Sequence, residues 1–188
     1  AMSGGATASF EGIKGEAGFE KLLTELGWTL VPKFGSTTGK GARFDGDTFP
    51  TLTPLTYIKK QQYVSSSMRW EYGNYNDAEF ILSGGVTVQV KNQSGAGSVA
   101  EKWAFNLLSI AAGKQPTDRL LFAFVGNSGI VNFDTFLKHD IKKYYSLFND
   151  SVRERLEQGA FTCTYGWDDT YNWLKEYTLE QTKTRCAA

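Results

Sequence analysis

The chain has 188 residues, of which 41% are hydrophobic and 21% charged, enough for one domain with a real core and too apolar for wholesale disorder. Its 20 basic and 20 acidic side chains cancel, so net charge advertises no polyanionic partner, and no apolar run approaches the ~20 residues that cross a bilayer. Two cysteines, Cys163 and Cys186, and one histidine, His139, argue against a disulfide framework, a zinc knuckle or a multi-histidine metal site, and make a reducing cytoplasm the expected compartment.

Residues 1–14 read as a flexible leader opening on an expression remnant, and a single domain is expected over 15–188. Its core spans about 15–126 and a helical C-terminal part about 127–180. The first helix is expected from about Gly15 to Leu26: Phe19, Leu22, Leu23 and Leu26 fall at i, i+3, i+4 and i+7, with Gly27 as the stop. Residues 31–70 follow, with six basic side chains against two acidic ones, and a first strand is placed within 55–64. Residues 78–82 and 86–91 read as strands joined by Ser83-Gly84-Gly85, a hairpin signal. In the second strand Val86, Val88 and Val90 share one face, and Thr87, Gln89 and Lys91 the other.

Ser98-Val99-Ala100-Glu101 is a capping-box pattern. It opens a helix whose apolar stripe runs from Ala100 through Trp103, Leu107 and Ala111 to a stop at Gly113. Residues 120–125 form a continuous apolar run, as a strand buried on both faces requires. Helices are expected at 133–148 and 168–178, a short helix at 151–158 and a strand at 160–164. His139 falls within the first of these in an amphipathic pattern and reads as structural or solvated. The chemistry of any enzyme here therefore falls to carboxylates and lysine. The class is α/β, one mixed sheet in the order helix, three strands, helix, strand.

Asp77 stands at the entry to one hairpin strand, and Gln89 and Lys91 share a face of the next. A tight hairpin brings them to one end of the sheet. Phosphodiester hydrolysis needs such a set: oxygen ligands for Mg²⁺, which lowers the pKa of a bound water, and a lysine to orient that water and meet developing negative charge.

On these residues the chain resembles the PD-(D/E)XK nuclease superfamily, whose restriction-endonuclease-like core is αβββαβ. Asn76-Asp77 stands in place of Pro-Asp, and Gln89-Val90-Lys91 in place of Glu-x-Lys or Asp-x-Lys. The stretch 91–102 after the lysine also looks like one seen in some restriction-type enzymes. The resemblance implies a DNA endonuclease of restriction or phage/mobile-element type, in the cytoplasm of a bacterial or phage-infected cell. Mg²⁺ is the implied cofactor, with Mn²⁺ as substitute. Asp77, Gln89, the Val90 carbonyl and Glu20 would hold the metal, and Lys91 would assist the attacking water. Gln89 departs from the pattern, because an amide lacks a carboxylate's charge; Glu20 or Glu79 would make up the difference. The partner is DNA, double-stranded by expectation, with Lys59, Lys60, Gln61, Gln62 and Arg69 contacting phosphates and bases and Gln93 and Ser94 just past the lysine. A two-fold homodimer is the arrangement by which such sites cut both strands.

Each residue has a plainer alternative. Lys91 could be a strand lysine facing water, Asp77 a turn residue and Glu20 an exposed helical glutamate, while Glu101 reads as the third residue of the capping box more readily than as a catalytic acid. The rival function is a non-catalytic nucleic-acid-binding module of the same fold; a third is an interaction domain that binds no nucleic acid. Residues 35–41 imitate a phosphate loop but carry three residues between the glycines instead of four, with no Ser or Thr after the lysine. Residues 126–129 fall one short of a nucleophile elbow.

Overall fold

The apolar stripe of Phe19, Leu22, Leu23 and Leu26 does build a helix, and its ending is well defined. In the computed structural model, which describes residues 4–31, 52–59, 79–92, 99–113, 115, 117–125 and 143–187, α1 spans Gly4–Glu25. The Trp28 N–H donates to the Leu23 carbonyl at 3.0 Å and the Gly27 N–H to the Thr24 carbonyl at 3.1 Å. With Gly27 at φ 86°, this is a Schellman ending, and Leu23 and Trp28 both enter the core beneath it.

The helix begins eleven residues earlier than its apolar stripe suggests, so residues 4–14 are its first turns rather than a flexible leader. Gly15, expected as the helix start, is instead required by packing. A Cβ there would lie 2.8 Å from the Asn92 Cβ, so α1 passes the end of the sheet at a distance only glycine permits.

Among the described residues, six strands form one sheet in sequence order: β1 (Thr29–Leu30), β2 (Thr56–Lys59), β3 (Phe80–Leu82), β4 (Val86–Lys91), β5 (Arg119–Phe124) and β6 (Phe161–Tyr165). β1 pairs parallel to β2, the β2–β3–β4 meander is antiparallel, and β4, β5 and β6 run parallel. The parallel step from β4 to β5 is bridged by α2 (Val99–Ala111), the crossover such a step needs. It ends at Gly113, φ 69°.

After β5 come α3 (Asp150–Arg155), a widened turn at Leu156–Ala160, β6 and the long α4 (Gly166–Ala187). The Asn149 side chain caps α3 by accepting from the Val152 N–H. Of the helix expected at 133–148, residues 133–142, His139 among them, lie outside the described residues. Helical structure begins within the described part at 143–145.

Both faces of the sheet are covered. On one, Phe19 and Leu23 of α1 and Leu174 and Tyr177 of α4 pack on Phe80, Leu82, Val86, Val88, Val90 and Leu121. On the other, Trp103, Leu107 and Ile110 of α2 pack on Leu120, Phe122, Phe124 and Phe161. The alternation expected along β4 is present, with the valines toward α1. Thr87 and Gln89 are nevertheless buried as well, on the face where α2 packs against the neighbouring β5. No helix among the described residues is long and apolar enough to cross a membrane.

Candidate active site

The hairpin register determines what meets at the end of the sheet. Phe80 pairs with Val88, and the Glu79 N–H donates to the Val88 carbonyl at 3.0 Å. That bond is one residue out of step with the Phe80–Val88 pair, so Glu79 and Phe80 both stand across from Val88, as at a β-bulge. Val88 and Val90 face α1, so Gln89 and Lys91 fall on the other face toward the end of β4.

There the Glu79 carboxylate bridges two donors: the Lys91 Nζ lies 3.1 Å from its Oε1, and the Val90 N–H donates to its Oε2. The side chain thus continues the ladder past the end of β3, taking the amide that a longer strand would have taken. Glu79 is buried, while Lys91 keeps 20% of its side chain exposed. Burial pushes the Glu79 carboxyl above the usual range; Lys91 and the Val90 N–H pull it down, and the negative charge of Glu16 on α1 adds to the rise.

Glu20 builds a second pair on the α1 face. Its Oε1 lies 2.7 Å from the Lys59 Nζ, with the side chains 27% and 36% exposed respectively, while its Oε2 is buried without a hydrogen-bond partner among the described residues. Tyr57, two residues before Lys59 on the same face of β2, is buried; burial and then the Glu20 charge push its hydroxyl up to about 12.

The expected set is therefore only partly assembled. Lys91 has a carboxylate partner, but that partner is Glu79, which the sequence offered only as a compensating acid. Gln89 is buried at 3% exposure, in register with Phe122. Val90 contributes its N–H to Glu79 while its side chain is in the core. Glu20 is tied to Lys59, which was expected at DNA. Asp77, Lys60, Gln61, Gln62, Arg69, Gln93 and Ser94 lie outside the described residues. The three-residue turn at 83–85 sets the pairing of β3 with β4 as far as Phe80 and Val88, and Glu79 enters the site just outside that pairing. Glu16, one helical turn before Glu20, had no comparable mark.

Glu79, Gln89 and Glu20 supply hard oxygen donors of the kind Mg²⁺ takes, and the orphaned Glu20 Oε2 is a buried acceptor that a cation would satisfy. Among the described residues no three Asp, Glu, His or Cys side chains converge on one point, so a full coordination shell needs donors outside them, Asp77 first. No protein-family model matches the sequence, nor does any curated protein or solved structure match it significantly.

Proposed function

We propose that the chain is a Mg²⁺-dependent DNA endonuclease on a restriction-endonuclease-like core, of restriction or phage/mobile-element type. The observation that carries this reading is the Glu79–Lys91 pair, a buried carboxylate and a partly exposed lysine on adjacent strands at one end of the sheet. The order α1, β2, β3, β4, α2, β5 supports it, as does the parallel β4–β5 step.

Asp77, Glu79 and Gln89 would hold the metal, with Glu20 supplying further charge from α1. When bound, Mg²⁺ polarises the phosphate and acidifies a water. Glu79 fixes the Lys91 ammonium at the strand end, and Lys91 orients the attacking water and meets the charge that develops on the phosphoryl oxygens. DNA is the partner, and a two-fold homodimer would bring two such sites to it.

Supercoiled plasmid and single-stranded DNA incubated with Mg²⁺, Mn²⁺ or chelator test the reading. Metal-dependent cleavage is expected, lost in Lys91→Ala while DNA binding holds, because the lysine acts on the transition state more than on the ground-state complex. Cleavage by Lys91→Ala within a few-fold of wild type removes Lys91 from the mechanism. One observation favours the non-catalytic rival: the acid-to-amide change at Gln89 on the strand whose Lys91 already engages a carboxylate. Salt-dependent DNA binding without cleavage in any metal would establish it.

A further inference from the structure

Lys91 belongs to a row that continues across the sheet. It pairs in register with Phe124 of β5, and Phe124 with Tyr165 of β6. In parallel strands such neighbours share a face, so Lys91, Phe124 and Tyr165 stand side by side. The charged end of the row passes within two strands into aromatic rings. Phe124 and Tyr165 are parallel, their centroids 6.0 Å apart and their planes within 1°. Phe124 is buried, but Tyr165 keeps 37% of its surface exposed.

Resting on the reading of Lys91 as the phosphate-facing lysine, we propose that Tyr165 is a base-stacking residue. An unpaired nucleobase next to the phosphate at Lys91 lies on its ring, so the preferred substrate is single-stranded or locally unpaired DNA. Strands are spaced about 4.8 Å apart, which sets the Tyr165 backbone about 10 Å from that of Lys91, within reach of a base on a nucleotide whose phosphate sits at the lysine. Phe124 backs the ring, so its plane is fixed before a base arrives.

The charges near Tyr165 point the same way. Asp168 and Asp169 follow it in the first turn of α4, and Asp169 Oδ2 accepts the Tyr165 N–H at 2.9 Å. Carboxylates here repel a phosphate and leave the ring to the uncharged part of a nucleotide. A paired base hides both faces in its stack, whereas an unpaired one offers a face to an aromatic side chain.

The test uses an oligothymidylate of about twelve nucleotides and a duplex of equal length, bound to the full chain in chelator and followed by fluorescence anisotropy over a salt series. Tyr165→Phe is expected to keep the single-strand affinity within about twofold. Tyr165→Leu keeps apolar bulk but no aromatic face, and is expected to lose about tenfold for the single strand alone, with an unchanged salt slope. Wild-type affinity in Tyr165→Leu, or equal loss for both probes, overturns the proposal. A single 2-aminopurine moved along the oligothymidylate tests it in the wild-type protein: quenching at particular positions is expected, and none at any position overturns it. If the wild-type chain shows no salt-dependent affinity for either probe, the nuclease reading itself falls; binding without a Tyr165 effect sinks the stacking role alone.

Discussion

Glu79 carries a charge the fold makes expensive, and the sign of its effect on stability follows from its raised pKa. The folded chain holds this proton more tightly than the unfolded chain does. The resulting stabilisation is complete below the ordinary carboxylate range and is lost as the pH rises through the elevated value. Glu79→Gln keeps the neutral form at every pH, so its stability relative to wild type should rise from about pH 4 to about pH 8, as read by denaturant titrations at both ends. A constant difference would show that Lys91 cancels the cost of burial throughout. The neighbouring amide gives a second expectation. Gln89→Glu puts a second carboxylate at a buried position on the strand whose Val90 and Lys91 already hold Glu79, and a buried charge without its own partner destabilises. The variant should melt earlier in chelator, recover in Mg²⁺, and bind the metal about tenfold more tightly, about 1.4 kcal/mol, by calorimetry. Unchanged metal binding would make Gln89 a bystander.

At the scale of elements, the end of α1 offers the cleanest experiment. Gly27 sits at φ 86°, with no atom within 4 Å of where a Cβ would go, so Gly27→Ala costs backbone strain alone. A loss of about 1–2 kcal/mol is expected, measured by chemical denaturation; no loss would mean that the Schellman ending contributes little. Such endings and turns are where the sequence spoke clearly. Gly27, Gly113 and Ser83-Gly84-Gly85 each mark a boundary the structure has, and β4 occupies the residues that its alternating valines indicate. Two features were hidden for physical reasons. Gly15 marked a helix start and Gly18 an ordinary helical position because sequence cannot show what lies opposite a missing Cβ: Asn92 in one case, the Trp167 ring in the other. β1 has two residues, too short for any periodicity, and is held by its pairing to β2. In the site, the alternation of β4 placed Gln89 and Lys91 on one face. Which acid reached the lysine depended on strand register and on where β3 stops, and neither is a property of a local motif.

Across the whole molecule, the segregation of charge is less free than composition suggests. Lys59 was expected to face phosphate, yet it is 2.7 Å from Glu20, and a lysine already compensated releases few counterions on binding. Lys59→Ala should therefore leave the slope of log affinity against log salt within about half a unit, whereas a lysine that neutralises a phosphate contributes about 0.9. Anisotropy titrations read the slope; a fall of a full unit would mean that Lys59 leaves Glu20 for the DNA. The exchange would also free Glu20 Oε1 for the metal that Glu20 is expected to help hold.

The last helix reaches back to the hairpin that carries the site. Tyr177 donates its hydroxyl to the Ser83 carbonyl and Ser83 its own to Gln181 Oε1, while Leu174 and Tyr177 complete the core beneath β3 and β4. The clamp on the turn is separated from it by 94 residues along the chain. A ribosome adds about 5–20 residues each second, so the hairpin emerges several seconds before the helix that holds it. During that interval the strand bearing Lys91 lacks its α4 support, and on the proposed nuclease reading a half-made chain would have no finished site with which to cut the DNA of the cell that is making it. Order of synthesis would then be a safeguard, set by the distance in sequence between a turn and its clamp.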